Sequence, residues 1–64
     1  MKIIQEKRIA LGIKQGDFAL SLKVDRSTVS KWETGRAMPR AELLPKIAGV
    51  LCCTVDELLK KGDS

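Results

Sequence analysis

Arg26, Ser27, Ser30, Lys31 and Thr34 are the residues of this 64-residue chain whose types and spacing could do chemistry. That chemistry is the recognition of a nucleic-acid duplex. On a helix running from Arg26 to about Thr34, at roughly 100° per residue, Ser27, Ser30, Lys31 and Thr34 fall on one side. Val29 and Trp32 define the opposite side, with Glu33 on its flank and Arg26 at the N-terminal edge. Small hydroxyls permit close approach to a major groove and can bond bases or phosphates. Arg26 and Lys31 can reach guanine O6 and N7, and Arg26 alone can do so with a planar fork. The same residue types populate any solvated helix face, and on composition alone that plainer reading is the better one.

The element upstream shifts the balance. Phe18, Ala19 and Leu22 form an apolar face on a helix spanning Gln15–Leu22, and the connection through Lys23-Val24 is too short for anything but a helix-turn-helix. Gln15 stands at the start of that helix, where free backbone N–H groups favour a phosphate, and Gly16 lets a backbone approach closely. A plain helix start with a weak former reads equally well there. Further upstream, Met1 to Leu11 is helical in pattern, with Ile4, Arg8 and Leu11 on one face and Gly12 as its stop. Arg8 is the odd residue on that apolar face, and Glu33 is a carboxylate on the inner flank of the third helix. Each supplies what the other lacks, so an Arg8–Glu33 ion pair is expected; two snorkelling surface charges are the alternative.

Downstream, Asp25 is placed as N-cap of the third helix and Gly35 as its end. Arg36–Met38 forms a basic loop closed by Pro39. Leu43, Leu44, Ile47, Ala48 and Leu51 repeat at three and four, which predicts a fourth helix beginning within a few residues of Pro45. Thr54 and Glu57, three apart, form a capping box opening a fifth helix, which Lys60-Lys61-Gly62 would end. No strand pattern, repeat or linker interrupts the series. The expected architecture is an all-α, compact five-helix domain over residues 1–61, followed by a short tail, 62–64.

Composition bounds the function. The net charge is +4, and it is uneven: residues 1–40 hold nine Lys/Arg against four Asp/Glu, whereas residues 41–64 hold three against four. A polyanionic partner for the N-terminal part follows from counterion release. Phe18 and Trp32 are the only aromatics, too few for a single-strand binder that stacks bases. Cys52 and Cys53 are adjacent, with no other cysteine and no histidine, which argues against a structural disulfide or a metal site and for reduced thiols in the cytoplasm. No apolar run is long enough to span a membrane. With no His or Tyr, no paired carboxylates and no Gly-rich phosphate loop, an enzyme is the weakest option; no cofactor or small-molecule ligand is implied.

The chain resembles the Cro/cI, or XRE-type, lambda-repressor-like helix-turn-helix family, from about Ile4 to Leu59. The resemblance rests on Arg8-Ile9-Ala10-Leu11-Gly12-Ile13, Gln15 with Phe18-Ala19, Ser27 through Gly35, Pro39, Leu43 through Ala48, and Val55 through Leu59. It implies a five-helix bundle whose third helix enters the major groove of double-stranded DNA. By position, Gln15 resembles a glutamine contacting phosphate and often a base, and Arg26, Ser27 and Lys31 match base-reading positions. Lys14, Thr34 and Arg36 match phosphate-contacting positions, and Arg40 an arginine that some members direct into the minor groove. The resemblance also implies a homodimer on a palindromic operator, with Cys52, Cys53, Val55 and Leu58 at or near the dyad, although a small core residue is the better reading of Cys53 from its type. Three positions depart from the family pattern. Lys14 replaces the usual cap before the second helix, Lys23 replaces the turn glycine, and Cys52 replaces the glycine ending the fourth helix. A missing cap and a left-handed non-glycine each cost about 1 kcal/mol. The function implied is a sequence-specific transcriptional regulator, a repressor first. A toxin-binding antitoxin and an adaptor that keeps the fold without binding DNA are the competing readings.

Overall fold

A computed structural model describes residues 1–59. Its order is α1 (Lys2–Ala10), α2 (Gln15–Leu22), α3 (Arg26–Thr34), a single 3-10 turn (Ala41–Leu43), α4 (Leu44–Val50) and α5 (Val55–Leu59). The described residues contain these helices and no strand. The expected stop at Lys60-Lys61-Gly62 and the tail at 62–64 lie outside them.

Helices α2 and α3 bury the stripes that their sequence spacing sets out, and the other helices most of theirs. Phe18, Ala19 and Leu22 of α2, Val29 and Trp32 of α3, and Ile47 and Ala48 of α4 meet in one core with Ile4, Leu44, Leu51 and Leu58. α3 packs against both α1 and α2, and α4 packs against α2 and α5. Phe18, Ile4, Ile47 and Val29 are the largest wholly buried side chains, so the anchors come from all of the first four helices. The Met1 ammonium donates to the Trp32 carbonyl, a second tie between the start of the chain and α3.

The first four helices end alike. A residue in the left-handed region follows each of them, and the next N–H donates five residues back: Ile13 to the Arg8 carbonyl, Val24 to Ala19, Arg36 to Lys31 and Cys53 to Ala48. Glycine fills two of these left-handed positions, Gly12 (φ 73°) and Gly35 (φ 82°). Lys23 (φ 59°) and Cys52 (φ 57°) fill the other two, so the backbone keeps the motif at residues that resist it.

Helix starts differ more. Thr54 and Glu57 form the capping box, Thr54 N–H donating to Glu57 at 3.0 Å and Glu57 N–H to Thr54 Oγ1 at 3.1 Å. Pro45 sits in the first turn of α4, where its missing N–H costs nothing. Lys14 and Asp25 both have the extended backbone of an N-cap, but neither side chain makes a capping bond. For Lys14 that is expected. For Asp25 it corrects the expectation: the backbone turns as a cap should, while the carboxylate stays exposed.

Three apolar assignments also change. Leu11 does not share the inner face of α1; that helix ends at Ala10, the chain turns at Leu11-Gly12, and Leu11 is 47% exposed. Leu58 is not available to a dimer surface, because at 2% exposure it belongs to the core. Leu43 lies in the 3-10 turn rather than on α4.

Candidate nucleic-acid interface

The outer side of α3 is both exposed and basic. Arg26, Ser27, Lys31, Thr34 and Arg36 are exposed and Ser30 is half-buried, while Val29, Trp32 and Glu33 are buried beneath them. Ser27, Ser30, Lys31, Thr34 and Arg36 line one concavity of about 410 Å³. Thr34 turns its hydroxyl back onto the helix, donating to the Ser30 carbonyl at 2.9 Å, which leaves the oxygen lone pairs as acceptors. The two ion pairs among the described residues, Arg8–Glu33 and Lys7–Glu57, use none of Lys14, Arg26, Lys31, Arg36 and Arg40. These five cations are exposed, and their charges are free to neutralise phosphates.

Behind the outer face runs a hydrogen-bonded chain. Arg8 Nε donates to Glu33 Oε2 at 2.7 Å, its second guanidinium nitrogen donates to Oε1 at 3.3 Å, and a third donates to the Ile13 carbonyl at 2.8 Å. The Glu33 side chain is 2% exposed and that of Arg8 10%, so this is a buried pair joining α1 to the end of α3. Gln15 extends it: Nε2 donates to Glu33 Oε1 at 3.0 Å, and Oε1 accepts from Arg26 Nε at 3.4 Å. The fold thus brings Gln15 and Arg26, from the starts of α2 and α3, against each other. Sequence reasoning placed both at the interface and missed the contact between them. The signal was available, since a carboxylate has about four acceptor sites and Arg8 occupies only part of them. The stem of Arg26 also lies over Gly16, where an added Cβ would come within 4.0 Å of Arg26 Cδ.

Arg40 lies apart from the chain of bonds just described. It borders an open furrow of about 710 Å³ between the α2–α3 turn, α3 and α4, with Leu22, Trp32 and Leu43 among its apolar lining and Lys23, Lys31 and Lys46 among its basic lining. Glu42 is the one acidic residue lining it. Far from this face, Cys52 is exposed, and Cys53 and Val55 are half-buried against the core. Burial pushes the Cys53 thiol up from its ordinary range, with Lys7 opposing the shift. No group of three or more His, Cys, Asp or Glu among the described residues could hold a metal ion, and no described helix is long and apolar enough to cross a membrane.

A helix-turn-helix family matches residues 4–58, nearly all of the described chain. This chain belongs to the Cro/cI-like (XRE-type) helix-turn-helix family of DNA-binding transcriptional regulators. It is 38% identical over 56 residues to the HTH-type transcriptional activator BcrR of Enterococcus faecalis. The match covers 88% of this chain and 28% of that relative, so the chain spans well under a third of the relative's length. No solved structure matches.

Proposed function

We propose that this helix-turn-helix domain reads the major groove of a palindromic operator with α3, bound as a homodimer. The observation that carries the reading is the exposed basic face on which Ser27, Ser30, Lys31, Thr34 and Arg36 line one concavity, with Arg26 and Gln15 joined beside it. Arg26, Ser27, Ser30 and Lys31 contact base edges, and Gln15 contacts a base or the adjoining phosphate. Lys14, Gly16, Thr34 and Arg36 hold the phosphate backbone, and Arg40 enters the minor groove. The α4–α5 region supplies the dimer contact, supported by the exposure of Cys52 and Leu59 and the half-burial of Val55. Both cysteines are unpaired, in keeping with action in the cytoplasm.

Occupying an operator is enough to block transcription, so repression is the outcome this surface supports unaided. Activation, which the name of the E. faecalis relative states for that protein, needs a further contact with the transcription machinery. Selection of binding sites from randomised double-stranded DNA tests the reading. Enrichment of inverted half-sites about one helical turn apart, roughly 34 Å, is expected. Failure to enrich any motif while the protein remains folded would remove it.

A further inference from the structure

The order of the bonds from Arg8 to Arg26 does more than join helices. Glu33 meets Arg8 through both oxygens, and a carboxylate only accepts. The Gln15 amide therefore has one orientation open to it, NH2 toward Glu33 at 3.0 Å and the carbonyl oxygen turned away. Arg26, which only donates, meets that oxygen through Nε. A reversed amide would set an oxygen against the carboxylate and donors against the guanidinium, repulsive at both ends.

We infer that Glu33 is a positioning residue for base specificity. It fixes the polarity of the Gln15 amide, and through it the attitude of the Arg26 guanidinium toward DNA. With Nε held from behind, the two terminal nitrogens of Arg26 are left to form the fork that guanine O6 and N7 accept. The link to Arg26 is the loosest of the chain at 3.4 Å, so it is the one that a change of polarity disrupts first. Glu33 touches no DNA in this arrangement, being 6% exposed on the inner side of α3. The inference rests on the proposed reading that Arg26 contacts a base.

The test compares wild type with R26A, E33Q, Q15L and the double variant E33Q/Q15E. Each is titrated against the duplex selected for the wild type and a duplex in which the guanine lost from the R26A motif is replaced by adenine. In E33Q the new amide keeps its oxygen toward Arg8 and turns its NH2 toward Gln15, which must flip and present donors to Arg26. The guanine preference is expected to fall about tenfold, within the range of one bidentate contact. In E33Q/Q15E the carboxylate introduced on α2 accepts both from the amide introduced on α3 and from Arg26. The preference then returns to within about threefold of wild type, again judged against that contact. Overall affinity is lower there, because a carboxylate now faces the phosphates. Circular dichroism at low temperature restricts the comparison to folded protein. Should E33Q be unfolded, Q15L carries the test, since it removes the relay and leaves the Arg8–Glu33 pair in place; it should lose the preference to the same degree. A purely structural Glu33 would weaken both duplexes alike. Full guanine preference in E33Q or Q15L, alongside its loss in R26A, overturns the relay alone. Unchanged preference in R26A removes the base-reading role of Arg26, and the relay with it.

Discussion

Replacing Arg8 by Met isolates what the buried pair contributes to stability. The Arg8 side chain is 10% exposed and Glu33 2%, so each charge is partnered by the other rather than by water, and Glu33 has no route to solvent when Arg8 is removed. Two unit charges about 4 Å apart attract by about 4 kcal/mol at an effective dielectric of about 20, and desolvation of each ion costs several kcal/mol against that. The pair as a whole is therefore close to neutral, whereas an orphaned partner is not. R8M leaves the Glu33 carboxylate with only the Gln15 amide and should cost about 3–5 kcal/mol. A domain of this size holds roughly 3–10 kcal/mol in total, so R8M should be largely unfolded near 37 °C. E33M should cost less, because the longer Arg8 side chain keeps its bond to the Ile13 carbonyl and can snorkel outward.

The double replacement R8M/E33M leaves no orphaned charge and should recover most of the loss, ending within about 2 kcal/mol of wild type. Urea denaturation followed by far-UV circular dichroism measures all four proteins, with unchanged slopes showing that the same structure unfolds. If R8M costs under about 1 kcal/mol, or if the double variant is as unstable as the sum of the single ones, the pair is not the buried, mutually dependent unit described here.

The left-handed Lys23 gives a change of opposite sign. K23G should raise the melting temperature by a few degrees, because relief of about 1 kcal/mol of strain outweighs the added unfolded-state entropy; C52G should act in the same direction. A lower melting temperature in both would show that the side chains contribute more than the strain costs. At pH 8, iodoacetamide should alkylate Cys52 before Cys53, since Cys52 is exposed and burial raises the Cys53 thiol, as peptide mapping would report. A raised thiol favours the protonated form in the fold, so its contribution is complete below the unfolded value and is lost as pH rises from there through the raised value. C53A should flatten that alkaline decline. Gly16→Ala meets only Arg26 Cδ, at 4.0 Å, and should leave folding intact while weakening operator binding, read by fluorescence anisotropy. Unchanged affinity would mean that DNA does not approach the start of α2 closely.

Much of the fold was legible because its determinants are local. The spans of α2 and α3 follow from short apolar stripes, Phe18-Ala19-Leu22 and Val29-Trp32, and from the residues that end each helix. The capping box at Thr54 needs only residues three apart. Arg8 and Glu33 could be paired across 25 positions because each was the misfit on an otherwise apolar face. Where tertiary placement decides, local pattern misleads. Leu11 continues the α1 stripe on paper, but the chain has already turned. The family resemblance places Leu58 at the dyad, whereas laying the short helix on the bundle turns it into the core. Asp25 has the type and backbone of a cap, yet a side chain torsion decides whether the bond forms. The Gln15–Arg26 contact was hidden for a different reason: it depends on Glu33 having acceptor capacity left over once Arg8 is satisfied. The left-handed Lys23 and Cys52 were readable only through the family pattern, since neither residue type signals such a turn.

The central claim is that α3 meets base edges in the major groove, with Arg26 on guanine. Methylation interference on the selected operator addresses it directly, because dimethyl sulfate marks guanine N7 in the major groove and adenine N3 in the minor groove. N7-methylation of a guanine in each half-site should block binding by the wild type, and R26A should lose sensitivity at that guanine while keeping it elsewhere. Interference confined to adenine N3, or an R26A pattern identical to wild type, would contradict the claim.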